Sequence, residues 1–267
     1  MTLGPLAERV AVVTGALGRL GPVWCDALLD AGASVAAVDL PGAPESPAFH
    51  ALEERYPNRL RLFRADVCSR KSLDQARASC ERELGAAVVL VNNAGIDQPP
   101  GPAQTYRIED IPDDVFRGVL DVNLVGAFHA AQAFGPGMVA RGRGSIINIG
   151  SLYASVSPDA RAYQHLACDP PFLKPPAYGA SKAALVNLTR YLATHWGPSG
   201  VRVNALSPGG VEGGQDEAFK HKFVDRVPLG RMAVAGDLGG PLIFLASDAS
   251  SYVTGIELLV DGGYTAW

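Results

Sequence analysis

Val10-Ala-Val-Val-Thr-Gly-Ala-Leu-Gly-Arg-Leu-Gly21 begins as a short apolar run rich in β-branched residues and ends in a turn where glycine recurs at positions 15, 18 and 21. An amphipathic helical pattern follows to about Ala31. Strand, glycine turn, helix is the order a dinucleotide requires. Glycines let the chain turn tightly and bring backbone N–H groups against a diphosphate, and the positive end of the new helix faces it. Three glycines alone are a weak signal. Their place at the C-terminal end of the first predicted strand gives them weight.

Outward from this turn, Ser34-Val-Ala-Ala-Val-Asp39 reads as a second strand that ends in a carboxylate 24 residues past Gly15. That is close to the spacing at which an acid accepts hydrogen bonds from an adenosine ribose. The same charge would repel a 2′-phosphate, and no Lys or Arg occupies Leu40, Pro41 or Gly42, so NAD is favoured over NADP. A third strand is expected over Asn58 to Arg64, after which Asp66, followed by Val67, is placed to accept from an adenine amino group.

A helix near Ser69 to Leu84 leads into the apolar strand Ala86 to Val91 and then Asn92-Asn-Ala-Gly95. The Pro- and Gly-rich loop from Ile96 to about Ile111 should lie over the strand ends. A long helix follows, about Asp113 to Arg141, carrying Asn123, with Gly135-Pro-Gly137 as the place for a bend or break. A fifth strand spans Gly144 to Ile149, a helix Pro175 to about Trp196, and a sixth strand Val201 to Leu206 ahead of Ser207-Pro-Gly-Gly210. Residues 211 to 230 are polar and read as a mobile lid. A helix near Asp237 to Ser247 and a strand from Ile256 to Asp261 close the chain. Strands this apolar are buried on both faces, and their alternation with helices predicts an α/β fold, a doubly wound parallel sheet with right-handed crossovers.

The 267 residues are within the range of one large domain, with no repeat or linker, and 48% hydrophobic content supplies a full core. A net charge of −4 and scattered Lys and Arg leave no cationic footprint for nucleic acid or an anionic membrane. Cys25, Cys68, Cys80 and Cys168 form no Cys-x-x-Cys pair, and no secretory leader is seen, which suggests a reducing cytoplasm. No apolar run approaches the roughly 20 residues that cross a bilayer.

The chemistry centres on Tyr178-Gly-Ala-Ser-Lys182, read against Ser151 at the end of the fifth strand. A spacing of four puts the phenol and the ammonium on one helix face. The fixed cation favours phenolate, so Tyr178 becomes a candidate acid/base near neutral pH. A bare Tyr-x-x-x-Lys arises often by accident; the surrounding motifs are what reverse the odds.

With these pieces in place the chain resembles the classical short-chain dehydrogenases/reductases over nearly its whole length. The resemblance rests on Thr14-Gly15 with its glycine turn, Asn92-Asn-Ala-Gly95, Asn123, Ser151, Tyr178-x-x-x-Lys182, Pro208-Gly209 and Val260-Asp-Gly-Gly263, all in order. It implies a single Rossmann domain with a seven-stranded sheet ordered 3-2-1-4-5-6-7. It also implies a catalytic tetrad. Tyr178 would pass a proton to a carbonyl or take one from an alcohol as hydride moves to or from the B face of the nicotinamide. Lys182 would lower the Tyr178 pKa and hold the nicotinamide ribose, Ser151 would hydrogen-bond the substrate oxygen, and Asn123 would anchor a water leading to solvent. Cofactor contacts are expected at Gly15, Gly18, Arg19, Leu20, Gly21, Asp39, Leu40, Asp66, Val67, Asn93, Ala94, Gly95, Tyr178, Lys182, Pro208, Gly209 and Val211. Substrate contacts are expected at Ser151, Tyr153, Tyr178, Gly209 and Gln215, and no metal is expected.

Three departures stand out. The middle glycine usual in the family is Arg19 here, and Gly18 comes one residue early. That is the spacing of the extended branch of epimerases and dehydratases, although the chain is short for that branch; the role of Arg19 is left open. The stretch from Ser151 to Tyr178 carries an insertion of roughly 14 residues between Leu152 and Ala177, and loops of this kind set specificity. It contains His165, Cys168 and Asp169, too few ligands for a typical metal site and more in keeping with a rim over the substrate pocket. Finally, the threonine usual four residues after the glycine of Pro208-Gly209 is Gly213, so anchoring of the carboxamide would fall to backbone near Val211.

A weaker resemblance links the glycine turn, Ala94-Gly-Ile-Asp-Gln-Pro-Pro100, the insertion and Ser207-Pro-Gly-Gly-Val-x-x-x-Gln215 to a subgroup of sugar and surface-glycan biosynthesis. The expectation is a cytoplasmic NAD-dependent oxidoreductase that interconverts a secondary alcohol and a ketone on a carbohydrate or polyol. The alternatives are an epimerase or dehydratase that retains NAD, and a non-catalytic dinucleotide sensor. A homotetramer or homodimer would form through the segments near Asp113 to Arg141 and Pro175 to Trp196. The tail Tyr264-Thr-Ala-Trp267 packs either on a neighbouring subunit or on its own chain.

Overall fold

The computed structural model describes residues 4–96 and 105–267. Fifteen regular elements follow one another as β1 (Val10–Thr14), α1 (Gly21–Asp30), β2 (Ser34–Asp39), α2 (Pro47–Arg55), β3 (Leu60–Arg64), α3 (Arg70–Glu83), β4 (Ala87–Asn92), α4 (Asp113–Leu120), α5 (Gly126–Ala140), β5 (Gly144–Ile149), α6 (Pro176–Trp196), β6 (Val201–Pro208), α7 (Glu217–Val224), α8 (Ala235–Ala246) and β7 (Glu257–Val260). The strands form one parallel sheet in the order β3-β2-β1-β4-β5-β6-β7. Sequence reading places every strand to within two residues. It passes over α2, which begins at the Ser46 cap, whose hydroxyl accepts from the Phe49 amide at 3.2 Å.

All five residues of β1 are buried, yet they serve two cores, because successive side chains point to opposite faces. Ala11 and Val13 join Trp24 and Leu28 of α1, Phe49 of α2 and Leu238, Leu242 and Leu245 of α8. Val10 and Val12 join Leu73 and Cys80 of α3, Ala130, Phe134 and Met138 of α5 and Leu192 of α6. Helices thus cover both faces. Truncating a fully buried leucine such as Leu28 would cost about 2–5 kcal/mol. Burial pushes the Cys25 thiol far up and that of Cys80 up to about 12, so both behave as small apolar core residues.

The long helix expected from Asp113 to Arg141 is interrupted, but not at its proline. Pro136 lies inside a continuous α5, and the irregularity sits earlier, in a single π turn at Asp121–Val125 closed by the Gly126 amide on the Asp121 carbonyl. Such turns widen a helix locally and reposition a side chain; here the widened turn carries Asn123. Part of the loop expected over the strand ends, 97–104, lies outside the described residues, and with it Asp97 to Pro100 of the subgroup motif. Among the described residues no helix is long and apolar enough to cross a membrane.

Candidate active site

Every strand is parallel, so all C-terminal ends meet at one edge, and the predicted site residues arrive there from β1, β2, β4, β5 and β6. The glycine turn is locked first. Gly15 takes φ +63°, and a Cβ on it would stand 2.7 Å from the Ala94 Cα, so only glycine lets β1 and the loop after β4 touch. The Thr14 hydroxyl accepts from the amides of Asn93 and Ala94 at 3.1 Å each. The Asn93 side chain answers by donating to the Thr14 and Gly15 carbonyls at 3.0 and 2.8 Å, and the Trp24 indole holds its other end at 2.8 Å.

Beyond this lock the turn is open. The helix that follows has no acid in its first turn and no side-chain cap, and the amides of Arg19 and Leu20 donate to no acceptor among the described residues. Bare N–H groups at an uncapped helix start fit a diphosphate. Gly21 is buried at the start of α1. Asp39 stands at the end of β2 with one carboxylate oxygen accepting from Leu17 N at 2.7 Å and the other from Leu40 N at 2.8 Å, while Leu40 itself is exposed. Asp66 accepts from Cys68 N at 2.8 Å, and Val67 is buried against Gly126. Asp39, Leu40, Asp66 and Val67 therefore lie at or just past the ends of β2 and β3, on the side of the site away from α6.

The chemical side gathers around α6. Lys182 is buried, its ammonium donates to the Ile149 carbonyl at 2.7 Å, and it lies 5.7 Å from the centroid of the Tyr178 ring. Ile149 ends β5 two residues before Ser151, so the same contact ties the α6 cation to the strand that presents the serine. Ser151 is buried and its hydroxyl accepts from Tyr153 N at 3.2 Å. Gly179, next to Tyr178, packs under the Tyr153 carbonyl, where a Cβ would come to 3.1 Å. Asn123 completes the cluster: its amide donates to Ser181 Oγ at 3.0 Å and to the Ile96 carbonyl at 3.1 Å, and its oxygen accepts from Ile96 N at 2.8 Å. The point beside Gly95 where a Cβ would stand is 3.2 Å from Asn123 Oδ1 and 3.5 Å from Lys182 Nζ. Asn123, Tyr178, Lys182, Ser151 and Gly95 are thus brought together.

At the end of β6, Pro208 and Gly209 pair with β7, Gly209 donating to the Val260 carbonyl at 2.9 Å. The Val211 carbonyl accepts from Arg19 at 2.6 Å and from the Gln215 side chain at 2.9 Å. Among the described residues Gln215 Oε1 is buried without a partner, an acceptor suited to an N–H or O–H from a bound molecule.

Over this edge sits a roof that sequence reading located only in outline. The insertion forms short 3₁₀ turns at Leu152–Ala154 and Ala160–Tyr163. Its buried Tyr163 packs at a tilt on Phe172, with ring centroids 4.8 Å apart, and on Phe219 of α7 at 5.3 Å, and the series continues through stacked Phe223 to Tyr264. Tyr264 of the tail packs on its own chain, while Trp267 donates to the Arg226 carbonyl and is largely exposed. His165 lies 2.8 Å from Asp216, the cap of α7, and the Lys222 ammonium donates to the Arg161 carbonyl at 2.9 Å. His165 is thereby committed to tying the insertion to α7. The one close grouping of ligand-type side chains among the described residues is Glu45, His50 and Glu53 around α2, remote in sequence from the insertion.

Three residues in the site carried no assigned role in the sequence reading. Thr14 acts as the lock described above, and Ser181 links Asn123 to the Tyr178 carbonyl at 2.7 Å. Lys174 puts a second ammonium 5.3 Å from the Tyr178 ring centroid and 5.8 Å from that of Tyr153. Its only signal in sequence is position, four residues before Tyr178 as Lys182 is four after, in a segment too rich in proline to read as helix.

Known proteins place this geometry. Residues 20–265 match the profile of the family described as enoyl-(acyl carrier protein) reductase. The galactitol 2-dehydrogenase (L-tagatose-forming) of Cereibacter sphaeroides is 36% identical, the alignment covering 100% of this chain and 98% of that one. Among solved structures, a gluconate 5-dehydrogenase from Burkholderia cenocepacia in complex with NADP and tartrate superposes with a TM-score of 0.83 at 31% identity, over 98% of this chain and 97% of the other. A short-chain dehydrogenase from Leptospira borgpetersenii with bound NAD+ gives a TM-score of 0.83 at 32% identity, over 97% and 94%.

Proposed function

The chain belongs to the classical short-chain dehydrogenase/reductase family and is an oxidoreductase; from that premise we propose that it is an NAD(H)-dependent dehydrogenase interconverting a secondary alcohol and a ketone on an acyclic polyol or sugar acid. The observation that carries the reading is the convergence of Lys182 and Asn123 beside Gly95, with the Tyr178 ring against Lys182 and Ser151 two residues past the end of β5. When bound, a nicotinamide supplies the hydride acceptor or donor. Tyr178 takes the proton of the alcohol, or returns it to the carbonyl, with Lys182 favouring the phenolate across the ring. Ser151 donates to the substrate oxygen as its charge changes. Asn123, held by Ser181 and Ile96, fixes the π turn against α6 and faces Lys182 across the space beside Gly95.

Support for NAD over NADP comes from Asp39, whose carboxylate stands where a 2′-phosphate would meet it, with the exposed Leu40 rather than a cation following. Support for a polyol comes from the relatives, one named for galactitol and one for gluconate, and from polar groups offered by the segments around Tyr178, Lys174 beside the Tyr153 ring and the buried acceptor of Gln215. We read the chain as one domain whose 211–230 segment closes over the substrate. We place it in the cytoplasm, in keeping with four unpaired cysteines. We expect a homodimer or homotetramer, since Phe128 on α5 and Tyr191 on α6 leave apolar rings exposed.

The test is spectrophotometric: purified protein, NAD+ or NADP+, and a panel of galactitol, threitol, glycerol, gluconate and simple secondary alcohols, followed at 340 nm. Reduction of NAD+ by at least one polyol or sugar acid, faster than by the simple alcohols, is expected. Turnover confined to simple alcohols, or none with a dinucleotide bound, overturns the substrate assignment. Light scattering reads the oligomer.

A further inference from the structure

Two of the departures from the family pattern lie far apart in sequence and touch in space. Arg19 stands where the middle glycine of the phosphate turn is usual, and Gly213 where a threonine is usual. The Arg19 guanidinium crosses from the turn to the segment after β6, donates to the Val211 carbonyl at 2.6 Å and occupies the space beside Gly213. A Cβ on Gly213 would stand 2.2 Å from Nη2, 2.7 Å from Cζ and 3.1 Å from Nε. Gly213 shows no left-handed φ, so glycine is there for room, not for backbone conformation. The neighbour it makes room for is the flexible end of an exposed side chain. A larger residue at 213 would evict the guanidinium and leave the backbone intact.

We propose that Arg19 and Gly213 are a matched pair: Arg19 is a ligand of the cofactor diphosphate that also holds the lid segment through Val211, and Gly213 is the seat that keeps it in place. This rests on the dinucleotide reading of the site. The turn beneath offers the bare amides of Arg19 and Leu20, and the same residue adds a permanent cation above them. One N–H of the fork is spent on Val211, and four remain to donate. The lost middle glycine and the lost threonine are thereby one exchange: a side chain at 19 long enough to reach position 213, and no side chain at 213 to displace it.

The experiment measures dissociation constants of NAD+, ADP and adenosine by calorimetry for the intact protein, Arg19→Ala, Arg19→Lys, Gly213→Thr and the double variant Arg19→Ala/Gly213→Thr. Arg19→Ala should weaken ADP and NAD+ by about tenfold at low ionic strength, the scale of one charge-assisted hydrogen bond, and by less in high salt, while adenosine is unchanged. Arg19→Lys keeps the charge but not the flat fork and should fall between. Gly213→Thr should weaken ADP in the parent and cost nothing further once Arg19 is alanine, a non-additivity that only direct coupling produces. The proposal is overturned if Arg19→Ala leaves ADP binding unchanged, if adenosine is lost equally, or if Gly213→Thr costs the same in both backgrounds. Failure of the parent to bind any dinucleotide or ADP overturns the dinucleotide reading itself and is distinguishable from all three.

Discussion

Asp39→Asn removes one charge at the end of β2 and should reverse the cofactor preference. A hydrogen bond to an ionised group is worth about 1.5–3 kcal/mol, so loss of the carboxylate from a ribose hydroxyl should lower kcat/KM for NAD+ by roughly 10- to 150-fold. The same change relieves repulsion of a 2′-phosphate, about 1 kcal/mol per pair of unit charges at 4 Å in water and about 2 kcal/mol for a doubly charged group. NADP+ should gain roughly 30-fold, and the ratio of the two should move by about three orders of magnitude.

The structure also limits the gain. A neighbouring cation, Arg64, is paired with Asp39 in the sheet register, but its guanidinium is committed to the Leu40 and Ala43 carbonyls and to Glu45 at 2.7 Å. NADP+ therefore gains relief without a new partner. Glu45→Gln in the Asp39→Asn background, by loosening Arg64, should add a further several-fold. Because the carboxylate also accepts from Leu17 N and Leu40 N, and asparagine keeps one acceptor, the variant should lose about 1–3 kcal/mol of stability while staying folded. Steady-state kinetics with both cofactors and a thermal melt read these effects. A folded Asp39→Asn protein whose NAD/NADP ratio shifts by less than tenfold would refute the reasoning.

Tyr178→Phe should cut kcat by roughly 10²- to 10⁴-fold with the NAD+ dissociation constant within a few-fold of the parent, and Ser151→Ala by about 10²-fold; full activity in either variant removes that residue from the chemistry. Tyr163→Ala deletes the ring that joins the insertion to α7. The loss of about 3–5 kcal/mol should open the roof, speeding proteolysis within 152–177 and raising the substrate KM more than it lowers kcat; unchanged digestion would contradict the coupling of roof and lid. The Asp159 carboxyl is held at about 2, chiefly by hydrogen bonds from Arg161 against the opposing effect of burial, with Arg226 adding to the pull. A carboxyl depressed on folding contributes fully above about pH 4 and loses that contribution as pH falls toward its folded value. The melting temperature should therefore fall less steeply between pH 4 and 2 in Asp159→Asn than in the parent.

Local chemistry made much of this molecule legible in advance. The short β-branched runs, buried on both faces, dictate strands, Gly15 dictates the turn, the four-residue spacing puts Tyr178 and Lys182 on one helix face, and Asp39 closes a strand whose end points at the cofactor side. These features are written in short windows, where neighbouring residues alone set backbone conformation and side-chain direction. Position in the fold decided the rest. That Asn123 rides on a π turn while Pro136 passes unnoticed inside α5 depends on what each helix packs against. Tyr163, Phe219 and Tyr264 are separate in the chain and become one roof only when α7 folds back over the insertion. Arg19 and Gly213 look like two unrelated lapses until β1 and β6 bring them within contact. Contacts between residues nearly 200 positions apart leave no periodicity to read, because the sheet order that creates them is a property of the whole chain.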